Sequence, residues 1–370
     1  MRETILITGG AGFIGSHVSR LLLAQGHKVK VIDSLIDQVH GGRGPSCLDG
    51  EVEFLRGDIR DATALASALQ GVDSVIHLAA EVGVGQSMYA IDRYVSVNDL
   101  GTASLFQQLI LRPVRRVVVA SSMSIYGEGL YRDAEGRLHE DVLRPPRRDG
   151  RASWDPVDSR GIPLRPVPTP ETKRPSLASV YAITKYVQER LTLTLAPAYG
   201  MEGVALRLWN AYGPGQALSN PYTGVLAIFA SRLHNRQRPI VFEDGQQRRD
   251  FVHVEDVARA VLLALEHPRA AGQVYNVASG VDRSVEQVAL SLARAMGQPA
   301  LGPEITGKAR SGDIRHNIAD ISRIRDELGF SSDRDFEDDL AELAEWVGRQ
   351  QAEDRVAQAR QELEARGLVA

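Results

Sequence analysis

Residues 4–17 read Thr4-Ile5-Leu6-Ile7-Thr8-Gly9-Gly10-Ala11-Gly12-Phe13-Ile14-Gly15-Ser16-His17. The apolar run before Gly9 is typical of a buried parallel strand, and Val18 and Leu22 follow the glycines at helical spacing. Glycines in this pattern permit a tight turn, close approach of the backbone to a pyrophosphate, and packing of the helix against the strand. Backbone amides at the start of such a helix attract an anion. The stretch therefore predicts a dinucleotide-binding loop, with contacts from Gly9, Gly12, Phe13, Ile14 and Gly15.

An acidic residue follows the next predicted strand. That strand, Lys28 to Ile32, ends at Asp33, about twenty residues after the glycine loop, which is the spacing typical of a dinucleotide site. A carboxylate there accepts hydrogen bonds from the adenosine ribose and repels a 2′-phosphate, which favours NAD over NADP. We therefore expect Asp33 and Ser34 in an NAD site. A glycine-rich turn before an ordinary helix is the alternative, and it would not require the acid in register.

Strand and helix patterns alternate through the first half of the chain. Predicted strands at 51–55, 74–78 and 116–120 alternate with predicted helices at 62–69 and 99–111, and a further strand is predicted at 204–208. This alternation predicts an α/β fold, a Rossmann-type doubly wound parallel sheet with a smaller α/β substrate-binding lobe. Ligands bind at the carboxyl edge of such a sheet. Candidate contacts at the strand ends are Asp58, Ile59, His77, Leu78, Ala79, Ala80, Ala120, Ser121, Ser122 and Leu208.

Composition excludes several classes of protein. The chain of 370 residues is 43% hydrophobic and 24% charged, which is ordinary for a soluble globular protein. A net charge of −4 argues against a nucleic-acid or anionic-membrane partner. We see no apolar run long enough to span a membrane and no signal peptide before the first strand, so we expect a cytoplasmic protein. Cys47 is the only cysteine, which excludes an internal disulfide and a cysteine-based metal site. No His/Asp/Glu cluster has metal-ligand spacing, so we expect no metal.

The predicted elements divide the chain into three parts. Residues 1–206 plus 250–277 are assigned to the NAD-binding domain, 207–249 plus 278–347 to the second lobe, and 348–370 to a C-terminal helical tail. Residues 127–178 form an insertion rich in Arg, Asp, Pro and Gly, with almost no apolar periodicity. We expect this insertion to be a lid, a binding loop or partly disordered rather than part of a core. The tail is expected to be a surface helix, and an oligomer contact there is less favoured.

Tyr181 and Lys185 lie one helical turn apart and share a face. A positive charge favours the ionised form of a nearby phenol, so we expect Lys185 to lower the pKa of Tyr181 and make it a general base. Beside a nicotinamide, Tyr181 would take a proton from a secondary alcohol while Ser122 holds the substrate oxygen. The alternatives are a surface Tyr–Lys pair and a serine, Ser122 or Ser124, that caps a turn.

These motifs together resemble the extended short-chain dehydrogenase/reductases that act on nucleotide sugars. The resemblance spans nearly the whole chain. It includes residues 8–15, Asp33, Asp58, 77–80, Asn98, Ser121-Ser122 with Tyr126-Gly127, Tyr181 with Lys185, Asn210 with 212–214, 249–254, and Arg310 with Asp313. The resemblance implies that Asn98 contacts the cofactor, that Asn210, Arg249 and Arg310 grip a nucleotide diphosphate, and that Val241, Phe242 and Glu243 lie near the base. Arginine forks suit a pyrophosphate. Further substrate contacts are expected from Val82, Ser87, Met123, Ser124, Gly224, Val225 and Asp313.

The resemblance also narrows the reaction. Sugar 4,6-dehydratases of this group typically carry an Asp-Glu pair directly after the catalytic Ser or Thr, where this chain has Met123-Ser124. The resemblance then implies 4-epimerisation: C4 is oxidised, the 4-keto sugar turns, and hydride returns to its other face. NAD is regenerated in each cycle and should stay bound, and a homodimer is expected through the helix after Asn98 and the helix that carries Tyr181.

Residues 82–89, 124–129 and 220–225 resemble the epimerases that act on dTDP-L-rhamnose. Val82 and Val84 would give an apolar wall for a 6-deoxy sugar. Some relatives carry Cys-x-x-Cys pairs in the insertion, and this chain has none. UDP-glucose or UDP-glucuronate epimerisation, a dehydrogenase or reductase of nucleotide-4-keto sugars with exchangeable NAD(P)H, and a non-catalytic NAD-sensing protein are the alternatives.

Overall fold

The computed structural model describes residues 2–42, 44–45, 47–142, 154–222, 224–309, 313–351, 354 and 356–369. The strands of these residues are β1 (Thr4–Thr8), β2 (Lys28–Asp33), β3 (Glu53–Arg56), β4 (Ser74–His77), β5 (Arg116–Ser122), β6 (Leu130–Arg132), β7 (Leu138–His139), β8 (Arg165–Val167), β9 (Glu202–Leu208), β10 (Asn210–Tyr212), β11 (Ile240–Val241), β12 (Arg248–His253), β13 (Val274–Val277), β14 (Asp282–Ser284), β15 (Glu304–Ile305) and β16 (His316–Asn317).

The α-helices are α1 (Phe13–Ala24), α2 (Asp37–His40), α3 (Ala62–Ala68), α4 (Val84–Ser87), α5 (Ile91–Tyr94), α6 (Gly101–Leu111), α7 (Val180–Ala198), α8 (Val225–His234), α9 (Val254–Glu266), α10 (Val285–Ala295), α11 (Ser322–Leu328), α12 (Phe336–Gly348) and α13 (Val356–Glu364). Short 3₁₀ helices span Met123–Tyr126 and Pro268–Ala270, and a π-helix spans Val95–Leu100. The predicted helix at 99–111 is therefore wrong at its start, because the π-helix leads directly into α6. No helix of the described residues is long and apolar enough to cross a membrane.

Seven parallel strands form the main sheet, in the order β13-β9-β5-β4-β1-β2-β3. The chain runs outward from β1 through β2 to β3 and then returns to place β4 on the other side of β1. The strand order therefore reverses beside β1, and ligands of such sheets bind at the carboxyl edge of this reversal. The predicted Rossmann-type fold is confirmed.

Side chains of β1 alternate between two hydrophobic clusters. Ile5 and Ile7 pack with α1 and α9, whereas Leu6 packs with α3 and α6 on the opposite face. Burial on both faces explains why the strands read as continuous apolar runs. The cores on either side fix the carboxyl edge of the sheet as a rigid platform for the site.

A smaller lobe is built on β10, β12, β14 and β16, with β12 paired to the other three strands. Its own hydrophobic cluster joins α8, α10 and α12, with Leu226, Leu292 and Leu343 fully buried or nearly so. The lobe follows directly from β9, so it stands beside the carboxyl edge of the main sheet.

The expectation that the insertion forms no core is wrong for its described residues. Strand β6 pairs with β7 and β8 in an antiparallel sheet, and Tyr131, Val142 and Leu164 form a small buried cluster beneath it. Apolar side chains from three separated segments meet here, so the pattern is not periodic along the chain. Arg315 ties the insertion to the second lobe, because it lies 2.7 Å from Asp155 and 2.6 Å from Asp244.

The C-terminal tail ends in α13, as expected for a surface helix, and it packs on the loops above the sheet edge. Ala359 and Leu363 are buried. Glu362 accepts hydrogen bonds of 3.0 Å from Tyr89 and 2.9 Å from Tyr222. The tail therefore contacts the chain just after the predicted substrate residue Ser87 and just before the predicted substrate residue Gly224.

Candidate active site

The glycine loop turns tightly beneath the end of β4. Gly9 has a φ of +69°, and a Cβ there would lie 2.7 Å from the backbone of Ala79. A Cβ on Gly15 would lie 2.5 Å from the backbone of Gly10. Helix α1 begins at Phe13 after Gly12, and no described side chain caps it. Its first-turn amides, including that of Ile14, therefore have no side-chain cap at the carboxyl end of β1, and these features fit a dinucleotide pyrophosphate.

Asp33 lies beside this loop, at the end of β2. Its carboxylate accepts hydrogen bonds from the backbone amides of Ala11 (3.1 Å) and Leu35 (2.9 Å). It also lies 3.6 Å from His40. These amides fix the carboxylate at the end of β2, where a ribose would be recognised.

The other predicted cofactor residues lie along the same edge. Asp58 pairs with Arg60 at 2.6 Å, which holds the pKa of the Asp58 carboxyl below its usual value. The remaining predicted positions at or beside strand ends are Ser34, Ile59, Leu78, Ala79, Ala80, Ala120 and Leu208. Asn98, buried in the π-helix, has its amide engaged with protein groups. It donates to Glu81 O (3.1 Å) and Thr184 Oγ1 (2.9 Å), so it ties the loop after β4 to α7.

Tyr181 stands in the first turn of α7, beside the end of β5. Its backbone amide donates to Ser87 Oγ at 3.0 Å, and its ring meets the buried Tyr94 ring edge-to-face at 6.4 Å between centroids. A side-chain hydrogen bond links the phenol to Ser122. The structure thus brings Ser122, Tyr181 and Lys185 to one place, and Ser122 also accepts a hydrogen bond from the amide of Ser124.

The pKa of Tyr181 moves opposite to the direction expected from the sequence. Burial raises it, and the hydrogen bond from Ser122 only partly offsets this effect. Lys185 is itself buried, which lowers its pKa to about 7. Its charge is therefore only partly present near neutral pH, and its ammonium donates to Gln188 Oε1 at 2.6 Å. Desolvation was missed because spacing along a helix carries no information about burial.

A buried polar network behind Lys185 was also missed by sequence reasoning. Gln188 donates to Thr102 Oγ1 (3.0 Å) and Ala79 O (3.3 Å). His77 lies 2.9 Å from Thr102 Oγ1 and 2.7 Å from Thr8 Oγ1, so the network reaches the start of the glycine loop. Burial lowers the pKa of His77 to about 3, which keeps the imidazole neutral.

The predicted substrate residues after β5 and β9 face each other. Asn210 donates to Asp250 O at 2.7 Å and lies 3.6 Å from Met123 Sδ. Ser124 Oγ is buried and has no hydrogen-bond partner among the described residues. A buried hydroxyl without a partner is costly, and a substrate hydroxyl would satisfy it.

The predicted diphosphate and base contacts lie in the second lobe. Arg249 donates to Arg315 O at 2.9 Å and lies 3.6 Å from Asp313, so it is anchored on the loop before β16. Arg310 lies outside the described residues. Val241 is buried and precedes Phe242, Gly224 caps α8 before Val225, and Val82 is exposed.

Amide side chains join three segments of the chain that follow β2, β4 and β10. Gln38, after β2, donates to Gln86 Oε1 (3.0 Å) and to Asn220 Oδ1 (3.2 Å), and Arg93 donates to Gln38 Oε1 (3.0 Å). Gln86 follows β4, and β1 lies between β2 and β4 in the sheet. The Gln38–Gln86 hydrogen bond therefore joins the segments that follow the two neighbours of β1, and Asn220 connects the second lobe to Gln38. We call Gln38, Gln86 and Asn220 the amide strap.

Three potential metal ligands converge among the described residues, although the sequence spacing showed none. Single ligand atoms of His253, Asp339 and Glu342 lie within 4.8 Å of one another. Arg334 already pairs with Asp339 at 2.6 Å and with Glu342 at 2.7 Å. A guanidinium on both carboxylates disfavours a second cation there.

The chain matches the model of the NAD dependent epimerase/dehydratase family over residues 5–149 and 161–278. It is 35% identical over 354 residues to a dTDP-L-rhamnose 4-epimerase of Burkholderia thailandensis, covering 94% of this chain and 96% of that protein. It is 30% identical to a dTDP-glucose 4,6-dehydratase of an Actinoplanes species, covering 92% and 97% of the two chains.

A solved relative shows the same architecture. The UDP-glucose 4-epimerase of Thermus thermophilus, crystallised with NAD, has a TM-score of 0.75 and 28% identity, covering 94% of this chain and 100% of that one. The glycine loop, Asp33 and the Ser122–Tyr181–Lys185 group lie at the carboxyl edge of the parallel sheet, the edge at which sheets of this type bind ligands. The chain is an NAD-dependent enzyme of the NAD dependent epimerase/dehydratase family.

Proposed function

We propose that this enzyme is a nucleotide-sugar 4-epimerase whose substrate is a dTDP-linked 6-deoxyhexose, with dTDP-L-rhamnose the best candidate. The observation that carries the proposal is the hydrogen-bonded Ser122–Tyr181 pair beside Lys185, followed by Met123 and Ser124 rather than by carboxylates. This arrangement supplies a base for alcohol oxidation without an adjacent acid/base pair for elimination.

The residues divide the work as follows. Tyr181 takes the proton of the C4 hydroxyl and returns it after the sugar has turned, while Ser122 holds the C4 oxygen. Lys185 orients the cofactor ribose and favours the phenolate electrostatically. A bound NAD would supply the acceptor and donor of the C4 hydride, and the positive charge of its nicotinamide ring would further favour the phenolate of Tyr181. The amide strap and the C-terminal tail exclude water from this exchange.

Epimerisation is favoured over dehydration by the residues after Ser122. Loss of water from C5 and C6 requires a carboxylate or an equivalent acid/base group next to the sugar. Met123 is apolar, and an aliphatic hydroxyl such as that of Ser124 neither gains nor loses a proton readily near neutral pH. The Ser124 hydroxyl, buried without a described partner, is better suited to bind a sugar hydroxyl.

The 6-deoxy sugar is the finer part of the proposal. Exposed Val82 offers an apolar surface at the loop after β4, where a methyl group binds better than a hydroxymethyl group. The similarity to the B. thailandensis epimerase supports the same substrate. UDP-glucose and UDP-glucuronate remain the alternatives, because UDP-glucose 4-epimerases are also among the relatives.

The test is incubation with a panel of dTDP- and UDP-sugars, followed by NMR for inversion at C4. Inversion of dTDP-L-rhamnose above all other sugars supports the proposal. Inversion of a UDP-sugar alone moves the assignment to that base, and formation of a 4-keto-6-deoxy product would overturn epimerisation.

NAD content separates the epimerase from the other classes. We expect the protein purified without added cofactor to release near-stoichiometric NAD on denaturation, because an epimerase regenerates NAD in each cycle. A cofactor-free protein that consumes NAD(P)H with a 4-keto sugar would be a reductase. Bound NAD with no turnover of any sugar would indicate an NAD-sensing protein.

We also infer a homodimer. Ile91, Val95 and Leu100, on α5 and the π-helix, and Ile183, on α7, are exposed by 42–55%. These helices pack side by side, so the four apolar side chains lie on neighbouring helices. Apolar surface of this kind supports an isologous contact between two copies of the chain.

A further inference from the structure

We propose that Gln188 is a positioning residue: its neutral carbonyl holds the Lys185 ammonium in place without cancelling the positive charge that Tyr181 needs. The catalytic importance of the Lys185 charge rests on the proposed function. The contact itself is a hydrogen bond of 2.6 Å from Lys185 Nζ to Gln188 Oε1.

The orientation of the Gln188 amide is fixed by its other partners. Ala79 O is a carbonyl and can only accept, so the Gln188 NH₂ group must face it at 3.3 Å. Thr102 Oγ1 donates to Asn98 O at 2.5 Å, which leaves it to accept from Gln188 at 3.0 Å. The carbonyl oxygen must therefore face Lys185. Because Gln188 is fully buried, water cannot replace this acceptor.

Two of the three N–H donors of the Lys185 ammonium have no acceptor among the described residues. An ammonium has three donors, and among the described residues only Gln188 accepts from it. The remaining two can serve the cofactor ribose and the Tyr181 oxygen while Gln188 holds the third. A carboxylate at 188 would also accept, but it would neutralise the ammonium and weaken its field at the phenol.

Other charged groups around Lys185 do not replace Gln188. Glu189, on the same helix, and Asp99, on the π-helix, both favour the ammonium from a distance. Glu189 is committed to Arg207 at 2.7 Å, and His77 on β4 is neutral. Gln188 is thus the hydrogen-bond partner that sets where the ammonium sits.

The test uses two substitutions with opposite chemistry on the NAD-bound protein. Gln188→Met removes the acceptor at similar volume, and Gln188→Glu keeps an acceptor but adds a negative charge. Thr192→Val is the matched control. The buried hydroxyl of Thr192 donates only to the backbone carbonyl of Gln188, one helical turn earlier, and does not contact the Gln188 side chain. The readout is the phenolate absorbance of Tyr181 as a function of pH, taken as the difference from the corresponding Tyr181→Phe protein.

Tyr181 and Lys185 titrate as a coupled pair, because a phenolate at 181 favours the ammonium at 185. We expect both substitutions at 188 to raise the apparent pKa at which the Tyr181 phenolate appears by about one unit or more, because each reduces the positive field of that ammonium at the phenol. The control should titrate like the unsubstituted protein. If Gln188 served only to fill space, Gln188→Glu should titrate like the parent, because Glu has nearly the same shape as Gln. An unchanged titration in Gln188→Glu therefore overturns the proposal, even if Gln188→Met fails to fold. The titration needs no sugar, so the result stands whether or not the proposed substrate turns over.

Discussion

At the scale of single residues, Tyr181 is the group on which the chemistry depends. We expect Tyr181→Phe to lower turnover by about 10²–10⁴-fold, because removing a general base in the transition state has costs of this order. The ring and its edge-to-face contact with Tyr94 remain, so NAD should stay bound. The measurement is the rate of C4 inversion together with NAD released on denaturation. Retained activity would contradict the role of Tyr181 as the base.

Gly9 is the residue of the glycine loop at which we expect a side chain to disturb cofactor binding most directly. We expect Gly9→Ala to purify with little or no NAD, because its φ is +69° and the new Cβ would meet the Ala79 backbone at 2.7 Å. Gly71→Ala is the control for backbone strain alone, since its φ is +65° and a Cβ there meets nothing within 4 Å. Equal NAD content in the two variants would show that the close approach to Ala79 is not required.

His77 should make folding stability depend on pH. Burial lowers its folded pKa to about 3, whereas the unfolded value is 6.5, so the unfolded state gains a proton first as the pH falls. Its contribution is full above pH 6.5 and is lost progressively toward pH 3. We expect a loss of about 2 kcal/mol between pH 6.5 and pH 5 from this residue. The free energy of unfolding, measured with urea at several pH values across this range, should change less with pH for His77→Gln than for the parent.

At the scale of elements, the sequence predicts the strands and helices whose apolar pattern repeats locally along the chain. The strands β1, β2 and β4 and the helix α1 could be predicted because the spacing of their apolar residues is set by burial in one sheet and against it. The sheet of the insertion could not, because β6 pairs with β8 more than thirty residues away, Leu130 opposite Val167. For the same reason the Lys185–Gln188 contact was open to prediction from helical spacing, whereas its extension to Thr102 and His77 was not.

The site follows the same division. Residues of the glycine loop and the strand ends could be placed from the sequence, because topology alone brings them to one edge. The pKa direction of Tyr181 could not, since it depends on burial by other elements. The amide strap joins segments after β2, β4 and β10, so no spacing along the chain indicates it.

The amide strap should control the exchange of NAD. Its Gln38–Gln86 and Gln38–Asn220 hydrogen bonds join segments that follow β2, β4 and β10, and we expect a dinucleotide bound at the carboxyl edge of these strands to leave only when they break. We expect Gln38→Ala to speed exchange of bound NAD by about tenfold, which corresponds to the loss of one or two hydrogen bonds. Exchange is measured with labelled NAD, and the exposed Gln70→Ala serves as the control. An unchanged exchange rate would mean that NAD leaves by another route.

At the scale of the whole molecule, polar contacts tie several separate segments of the chain to one another. The insertion is held to the second lobe through Arg315, and α13 is held to Tyr89 and Tyr222 through Glu362. The amide strap joins the two lobes. A reaction that forms a 4-keto sugar and must keep it until hydride returns benefits from such contacts. The contacts join elements far apart in sequence, which is why they depend on the complete fold.

Exposed apolar side chains on α5, the π-helix and α7 form the face that we propose as the dimer contact. Ile183 is 44% exposed on α7, two residues after Tyr181, and an ionised side chain buried at a dimer contact is costly. We expect the parent to sediment as a dimer at micromolar concentration and Ile183→Glu to sediment as a monomer. Leu290→Glu is the matched control, since Leu290 is 37% exposed on α10 in the second lobe. Because α7 also carries Tyr181 and Lys185, the monomer should lose turnover while Leu290→Glu keeps it. A monomeric parent would contradict the dimer, and a dimeric Ile183→Glu would place the contact on another face.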